Sequence, residues 1–198
     1  MKNVLQRSFY DRDTHDAAKN LLGKVLVRRY GKQLVSGRIS EVEAYVGEDD
    51  LACHASKGRT ARTDIMFGKA GHAYIYLIYG MYHCFNVVTE QEHFPAAVLI
   101  RSVEPLDGVS VMQQRRGTHQ LNNLTTGPGK LCRALSITKK LNGVDVTESN
   151  EIYIVDDGFV VHPNHIATSK RIGVEYARHC TEYPWRYYLK NSNYLSRT

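Results

Sequence analysis

The sequence predicts one mixed α+β domain with a mainly antiparallel sheet, and three observations carry that expectation. Strand-like apolar runs come in pairs that turn on single glycines, Gly31 in "KVLVRRYGKQLVSGRISEVEAYVG" and Gly80 in "YIYLIYGMYHCFN". Helical spacing is confined to short segments between such runs. No repeat, linker or low-complexity tract divides residues 1–198, a length that supports one domain with a sizeable core.

In chain order, "DTHDAAKNLLG" offers Asp13 or Thr14 as an N-cap, apolar residues at helical spacing, and Gly23 as a stop. Two strands around Gly31 follow, then a polar, basic and irregular crossing over residues 48–72. Two further strands flank Gly80. "AAVLIRSVEP" is almost wholly apolar and is therefore expected in the middle of the sheet. Residues 107–116 read as a helix, as does "GPGKLCRALSI", where Pro128 suits a first turn. After Gly143 come three short strand patterns, "EIYIV", "KRIGV" and "WRYYL".

Composition narrows the class. Hydrophobic residues make up 42% and charged residues 23%, ordinary for a soluble globular protein. No apolar run is long enough to span a bilayer, and "MKNVLQRSFYDRDTHDAAKN" lacks the apolar centre of a secretory signal. The expectation is a cytoplasmic protein with no membrane partner. The cysteines, Cys53, Cys84, Cys132 and Cys180, form no C-x-x-C pair, so they are expected as reduced thiols packed like small hydrophobes. "HPNH" at 162–165 is read as a surface loop, and no metal is expected. "TGPGKL" at 126–131 is not a Walker loop: Leu124 stands where the first glycine belongs, and Leu131 replaces the magnesium-binding hydroxyl. The net charge of +6 and pI near 9.1 suit a partner rich in phosphates.

Four features invite chemistry. In "EVEAY", Glu43 and Tyr45 share a strand face, either as part of a solvated edge or as a carboxylate beside an aromatic platform. Tyr79 and Met81 fall at the tip of the tyrosine-rich hairpin; such a tip is either packed against the fold or is an apolar wedge of the kind that enters base stacks. Asn86 is an amide within an apolar strand, which must be hydrogen-bonded or functional. Arg101 is a guanidinium in "VLIRSVEP" that needs a phosphate or a carboxylate, with Glu41 and Glu43 as candidates.

At "EVEAYVGEDDLACH", "YIYLIYGMYHCFNVV", "VLIRSVEPLDG" and "TGPGKLCRALSI" the chain resembles the 3-methyladenine (alkyladenine) DNA glycosylase family, with the segments in family order. "KVLVRR" and "RIGVEYARHCTEYPWRYYL" extend the resemblance over nearly the whole chain. It implies a single compact domain over residues 1–198, a curved sheet flanked by helices, and no metal or other cofactor. It also implies hydrolysis of the N-glycosidic bond of alkylated or deaminated purines in double-stranded DNA. By this resemblance Glu43 is the general base and Arg101 lies beside the attacking water. Tyr45, His54 and Tyr76 are the walls around the extruded base, and Asn86 disfavours guanine. Tyr79 fills the vacated position with Met81 beside it, and Arg59, Arg62 and Lys130 lie near phosphates. Two features depart from the family pattern: Ala55 stands where serine is expected, and the loop through "SKGRTART" is one residue shorter. The long basic extension of the mammalian members is absent, so the expectation is a bacterial, nucleoid-associated monomer.

The chemistry suits these residue types. A base must leave the stack before its sugar carbon can be reached. Breaking the bond then develops oxocarbenium character that a carboxylate stabilises. No lysine is evident as a sugar nucleophile, so a monofunctional enzyme is expected. Two rival readings remain from sequence: a module that binds damaged or single-stranded nucleic acid without turnover, and a hydrolase of free nucleosides.

Overall fold

The computed structural model describes residues 3–196 and shows a mixed α+β domain. Its strands are β1 (Val25–Tyr30), β2 (Gln33–Val46), β3 (Ala73–Ile78), β4 (Tyr82–Val88), β5 (Ala96–Pro105), β6 (Ile152–Val155), β7 (Ile166–Ser169) and β8 (Arg186–Leu189). Four α-helices accompany them: α1 (Arg7–Tyr10), α2 (Thr14–Leu21), α3 (Val109–Arg116) and α4 (Pro128–Leu135). All strands join one sheet of order β3-β4-β5-β2-β1-β6, with β8 on β2 and β7 on β8. Every ladder is antiparallel.

The helices begin and end for local reasons. Asp13 caps α2 by accepting the Asp16 N–H at 3.0 Å. Ala17, Ala18 and Leu21 of α2 are fully buried, which fits an apolar stripe at helical spacing. Pro128 occupies the first turn of α4, and Ser136 closes it in the left-handed conformation. These helices, with Met112 of α3, cover one face of the sheet around Val42, Ala44, Ile75, Phe85, Val98 and Ile100.

The fourteen-residue β2 is the spine. One edge pairs with β5 from Gly37 to Val46, while the other is shared by β1 and then β8. Two irregularities in the β2–β5 ladder decide what lies on the second face. The register moves between Ile39 and Glu41 and again between Glu41 and Val42. The first shift inserts Ser40 into β2 and the second inserts Arg101 into β5. Each extra residue inverts the alternation of its strand. Val35 and Ile39 therefore share the helix-covered core with Val42 and Ala44, while Glu41, Glu43 and Tyr45 face away. On β5, Val98, Ile100 and Val103 enter that core, and Leu99 and Arg101 face away. Simple alternation would have put Ile39 beside Glu41; the bulge separates them.

One expected strand is absent. "KRIGV" is irregular, and the strand of that region lies earlier, at Ile166–Ser169. Contacts hold the segment away from any ladder: Arg171 is bound to Asp50, and the Ile172 N–H is donated to a side chain, Glu43.

Gly37 begins the β2–β5 ladder, opposite Pro105. A Cβ there would stand 2.5 Å from Val103 Cγ2 and 2.9 Å from the Glu104 carbonyl oxygen. Gly37→Ala is expected to destabilise the fold by about 1–3 kcal/mol through overpacking, read as a lower denaturant midpoint with an unchanged m-value.

Candidate active site

The second face of the sheet carries the candidate site. Antiparallel register aligns Arg186, Glu43, Leu99, Asn86 and Tyr74 in one row across five strands. The irregular crossing over residues 48–72 folds onto this face and forms a small second core of Cys53, Ala55, Met66 and Phe67 against Tyr74, Val88 and Ala97. Between the sheet, this crossing, the residues around Ile172 and the start of α4 lies an open cavity of about 910 Å³.

The cavity rests on a buried ionic floor. Glu43 is fully buried. Its Oε2 accepts from the Tyr45 hydroxyl at 2.8 Å and from Arg101 Nη1 at 3.0 Å. Its Oε1 accepts the Ile172 N–H at 2.8 Å. Arg101 also donates from Nε to Glu41 Oε1 at 3.0 Å. Glu41, likewise fully buried, receives Arg186 Nε at 2.6 Å, the Ser196 hydroxyl at 2.6 Å and the Ser196 N–H at 2.6 Å. Burial alone would raise the Glu41 pKa, but Arg101, Ser196 and Arg186 outweigh it and hold the carboxyl below its usual range. Burial likewise opposes the charge on Arg101, and the two glutamates restore and exceed it. Tyr45 is pushed well up, by burial first and by the Glu43 charge second, so its hydroxyl stays a donor to that carboxylate.

Tyr45, Arg101, Leu99 and Ile172 line the cavity above Glu43. A carboxylate has about four lone-pair positions, and three of those on Glu43 are filled. One acceptor position is therefore left without a protein donor among the described residues.

The walls are aromatic. The His54 and Tyr76 rings meet at 4.4 Å and 70°, and Tyr74 stands 5.5 Å from Tyr76. His54 Nδ1 lies 2.8 Å from the Tyr74 hydroxyl. Burial, then the charges of Arg62 and Lys57, lower the His54 pKa to about 4, so the ring is neutral at physiological pH. Burial pushes Tyr74 up to about 12. Asn86 is buried, with Nδ2 donating to the Tyr74 carbonyl at 2.9 Å. Cys84 also lines the cavity, its thiol pushed up by burial to about 11.

The hairpin tip lies at the mouth. Tyr79 is 79% exposed and Met81 is 65% exposed, so the tip is not packed against the fold. Tyr79 and Gly80 both have positive φ, and the Met81 N–H closes the turn on the Ile78 carbonyl at 3.2 Å. Both side chains are thereby held outward.

The remaining basic residues separate. Lys130, in the first turn of α4, lines the cavity and donates to Asn123 Oδ1 at 2.5 Å. Arg62 lies on the aromatic wall. Arg59 is turned elsewhere, paired with Asp64 at 2.6 Å and lying over Phe67. Among the described residues no group of three or more His, Cys, Asp or Glu could hold a metal ion, and no helix is long and apolar enough to cross a membrane.

A buried clamp completes the site and escapes sequence reasoning. Arg171 makes a two-pronged pair with Asp50, at 2.6 and 2.7 Å, and donates to the Ala44 carbonyl at 2.9 Å. Its guanidinium lies between the Tyr45 and Trp185 rings, at 4.8 and 4.9 Å. Its Nε has no partner among the described residues. The clamp ties residues 48–53 to the segment whose Ile172 N–H holds Glu43. Its only mark in the sequence is an arginine in "KRIGV", a stretch with the composition of a strand.

With this geometry in view, the sequence model of the family described as methylpurine-DNA glycosylase matches residues 8–193. A protein of Methanocella arvoryzae is 53% identical over 195 residues, covering 98% of this chain and 96% of its own length. One of Alkaliphilus oremlandii is 48% identical over 202 residues, covering 98% of each. The chain belongs to the methylpurine-DNA glycosylase family. Both relatives carry the provisional name 3-methyladenine DNA glycosylase. The match to the family spans β1 through β8, so the walls, the hairpin and the Glu41, Glu43, Arg101 and Arg186 of the floor lie within it, and Ser196 lies just beyond it.

Two outcomes follow from the geometry. Asp50→Ala leaves Arg171 charged and buried without its carboxylate and is expected to cost about 3–5 kcal/mol of stability, measured by chemical denaturation. His54 has a folded pKa of about 4 against an ordinary value of 6.5. The unfolded chain therefore binds more protons between these values, and stability falls as pH drops from 6.5 to about 4. His54→Gln is expected to flatten that part of the stability–pH curve.

Proposed function

We propose that this protein is a monofunctional DNA glycosylase. It flips alkylated or deaminated purines, of the 3-methyladenine, 7-methylguanine and hypoxanthine type, out of duplex DNA and hydrolyses their N-glycosidic bond. The observation that carries the reading is a buried carboxylate, Glu43, held by three hydrogen bonds beneath an aromatic cavity whose mouth bears an exposed tyrosine.

The steps follow from the residues. Tyr79, solvent-exposed at the tip, takes the place of the departing base, with Met81 beside it; such wedges offset part of the few kcal/mol that unstacking costs. The extruded purine stacks among Tyr45, His54 and Tyr76. Aromatic stacking contributes about 1–3 kcal/mol per base. Glu43 takes a proton from water while its negative charge faces the oxocarbenium forming at the sugar. Arg101 keeps Glu43 oriented through Oε2 and lies on the cavity wall beside the water's path. Asn86 is fixed by the Tyr74 carbonyl, so it cannot turn aside for the exocyclic amino group of guanine, a repulsive device that costs the damaged bases little. Lys130 and the basic surface meet backbone phosphates. The product is an abasic site, since water rather than an amine attacks the sugar.

The test is release of free base from duplex DNA containing hypoxanthine or 7-methylguanine. Glu43→Gln is expected to lower release by about 10²–10⁴-fold while duplex binding stays within a few-fold of wild type. Near-normal release by this variant would refute the assignment of the base, and binding without any release by wild type would favour a non-catalytic module.

A further inference from the structure

Arg62 is the one basic residue of the irregular crossing that addresses three rings of the base pocket. Its guanidinium carbon lies 5.4 Å from the centroid of the Tyr76 ring, and Nη2 is 3.5 Å from His54 Nε2. Its charge opposes the upward push of burial on Tyr74. The neighbouring acid, Asp64, is engaged by Arg59 at 2.6 Å. Among the described residues no carboxylate lies within ion-pair distance of Arg62, so its charge is left facing the cavity.

We propose that Arg62 is a charge filter, a specificity-determining cation on the pocket wall that disfavours cationic purines relative to neutral ones. The proposal rests on the glycosylase reading above. An aromatic face attracts one cation; on Tyr76 that place is already taken by a residue of the protein itself. A cationic base entering the same pocket meets a like charge at close range. A neutral base meets no such repulsion and can stack against the planar guanidinium. Arg62 is exposed, so solvent screens the repulsion to about the strength it has in water, which corresponds to a bias of about fivefold. The filter therefore tunes the preference of the site without closing it to charged lesions.

The test compares single-turnover release of 7-methylguanine, a cationic base, with that of hypoxanthine, a neutral one, from otherwise identical duplexes. Arg62→Gln is expected to raise the 7-methylguanine-to-hypoxanthine rate ratio about fivefold. Arg62→Lys retains the charge and is expected to keep the wild-type ratio. If both rates fall together in Arg62→Gln and the log–log salt slope of DNA binding drops by about one, Arg62 is a phosphate contact and the filter is overturned. An unchanged ratio with unchanged salt slope overturns it as well. If wild type releases both bases and the ratio does not respond, the filter alone fails. If wild type releases neither base, the glycosylase reading fails and takes the filter with it.

Discussion

The candidate site depends on one buried cation placed between two buried carboxylates. Arg101 spans Glu41 and Glu43 with separate nitrogens, and both glutamates are wholly removed from solvent. Isolating even one such carboxylate costs several kcal/mol, and two side by side repel each other as well. Arg101 and Arg186 bring the buried charge on this floor to zero. The placement is a property of the backbone. Without the extra residue in β5, the arginine would not be aimed between the two acids, and without its counterpart in β2, Ile39 would compete with Glu41 for the polar face. The two bulges are therefore joint conditions for an apolar core on one face and an ionic floor on the other.

The glutamates are equal in burial and unequal in their partners. Glu41 accepts four hydrogen bonds, from Arg101, Arg186 and both donors of Ser196, and of these partners only Arg101 lines the cavity. Glu43 accepts three, from Tyr45, Arg101 and Ile172, and all three of those residues line it. Under the proposed function the difference separates a positioning acid from a reactive one. It also shows why the Arg171–Asp50 clamp matters to the site: the third bond on Glu43 comes from the backbone next to Arg171, so the clamp helps to fix the orientation of this carboxylate.

Much of this was legible in the residues. Glycine-centred turns at Gly31 and Gly80 and the apolar "AAVLIRSVEP" lead directly to β1 through β5. Period-two alternation places Glu43 beside Tyr45 and Tyr74 beside Tyr76, because those stretches contain no bulge. The alternation misleads only across Ser40 and Arg101, where bulges are set by pairing between distant strands and leave no local mark. The solvated-edge reading of Glu43 and the packed-tip reading of Tyr79 both yield to burial, 0% for the first and 79% exposure for the second. Arg171 was hidden for a different reason. Its partners, Asp50, Tyr45 and Trp185, come from segments far apart in sequence, and "KRIGV" has the composition of a strand while its donors are committed elsewhere.

The floor and the hairpin tip are built by opposite rules. On the floor, the charged groups are matched and nearly every donor and acceptor is satisfied, so the arrangement stabilises the free protein. At the tip, Tyr79 and Met81 expose large apolar surfaces, and Tyr79 adopts a left-handed conformation that costs a non-glycine residue about 1–2 kcal/mol. Neither feature helps the free protein fold. Under the proposed function the difference has a cause. Stacking on the pocket wall returns about 1–3 kcal/mol per base against an unstacking cost of a few kcal/mol. The wall alone therefore leaves a damaged base nearly balanced between duplex and pocket. Burying the tip in the vacated stack supplies the remainder, and it does so only when a duplex is present. A base still paired and well stacked costs more to extract, so a wall and tip of this modest strength already favour lesions that weaken pairing, before Asn86 or Arg62 acts on the base itself.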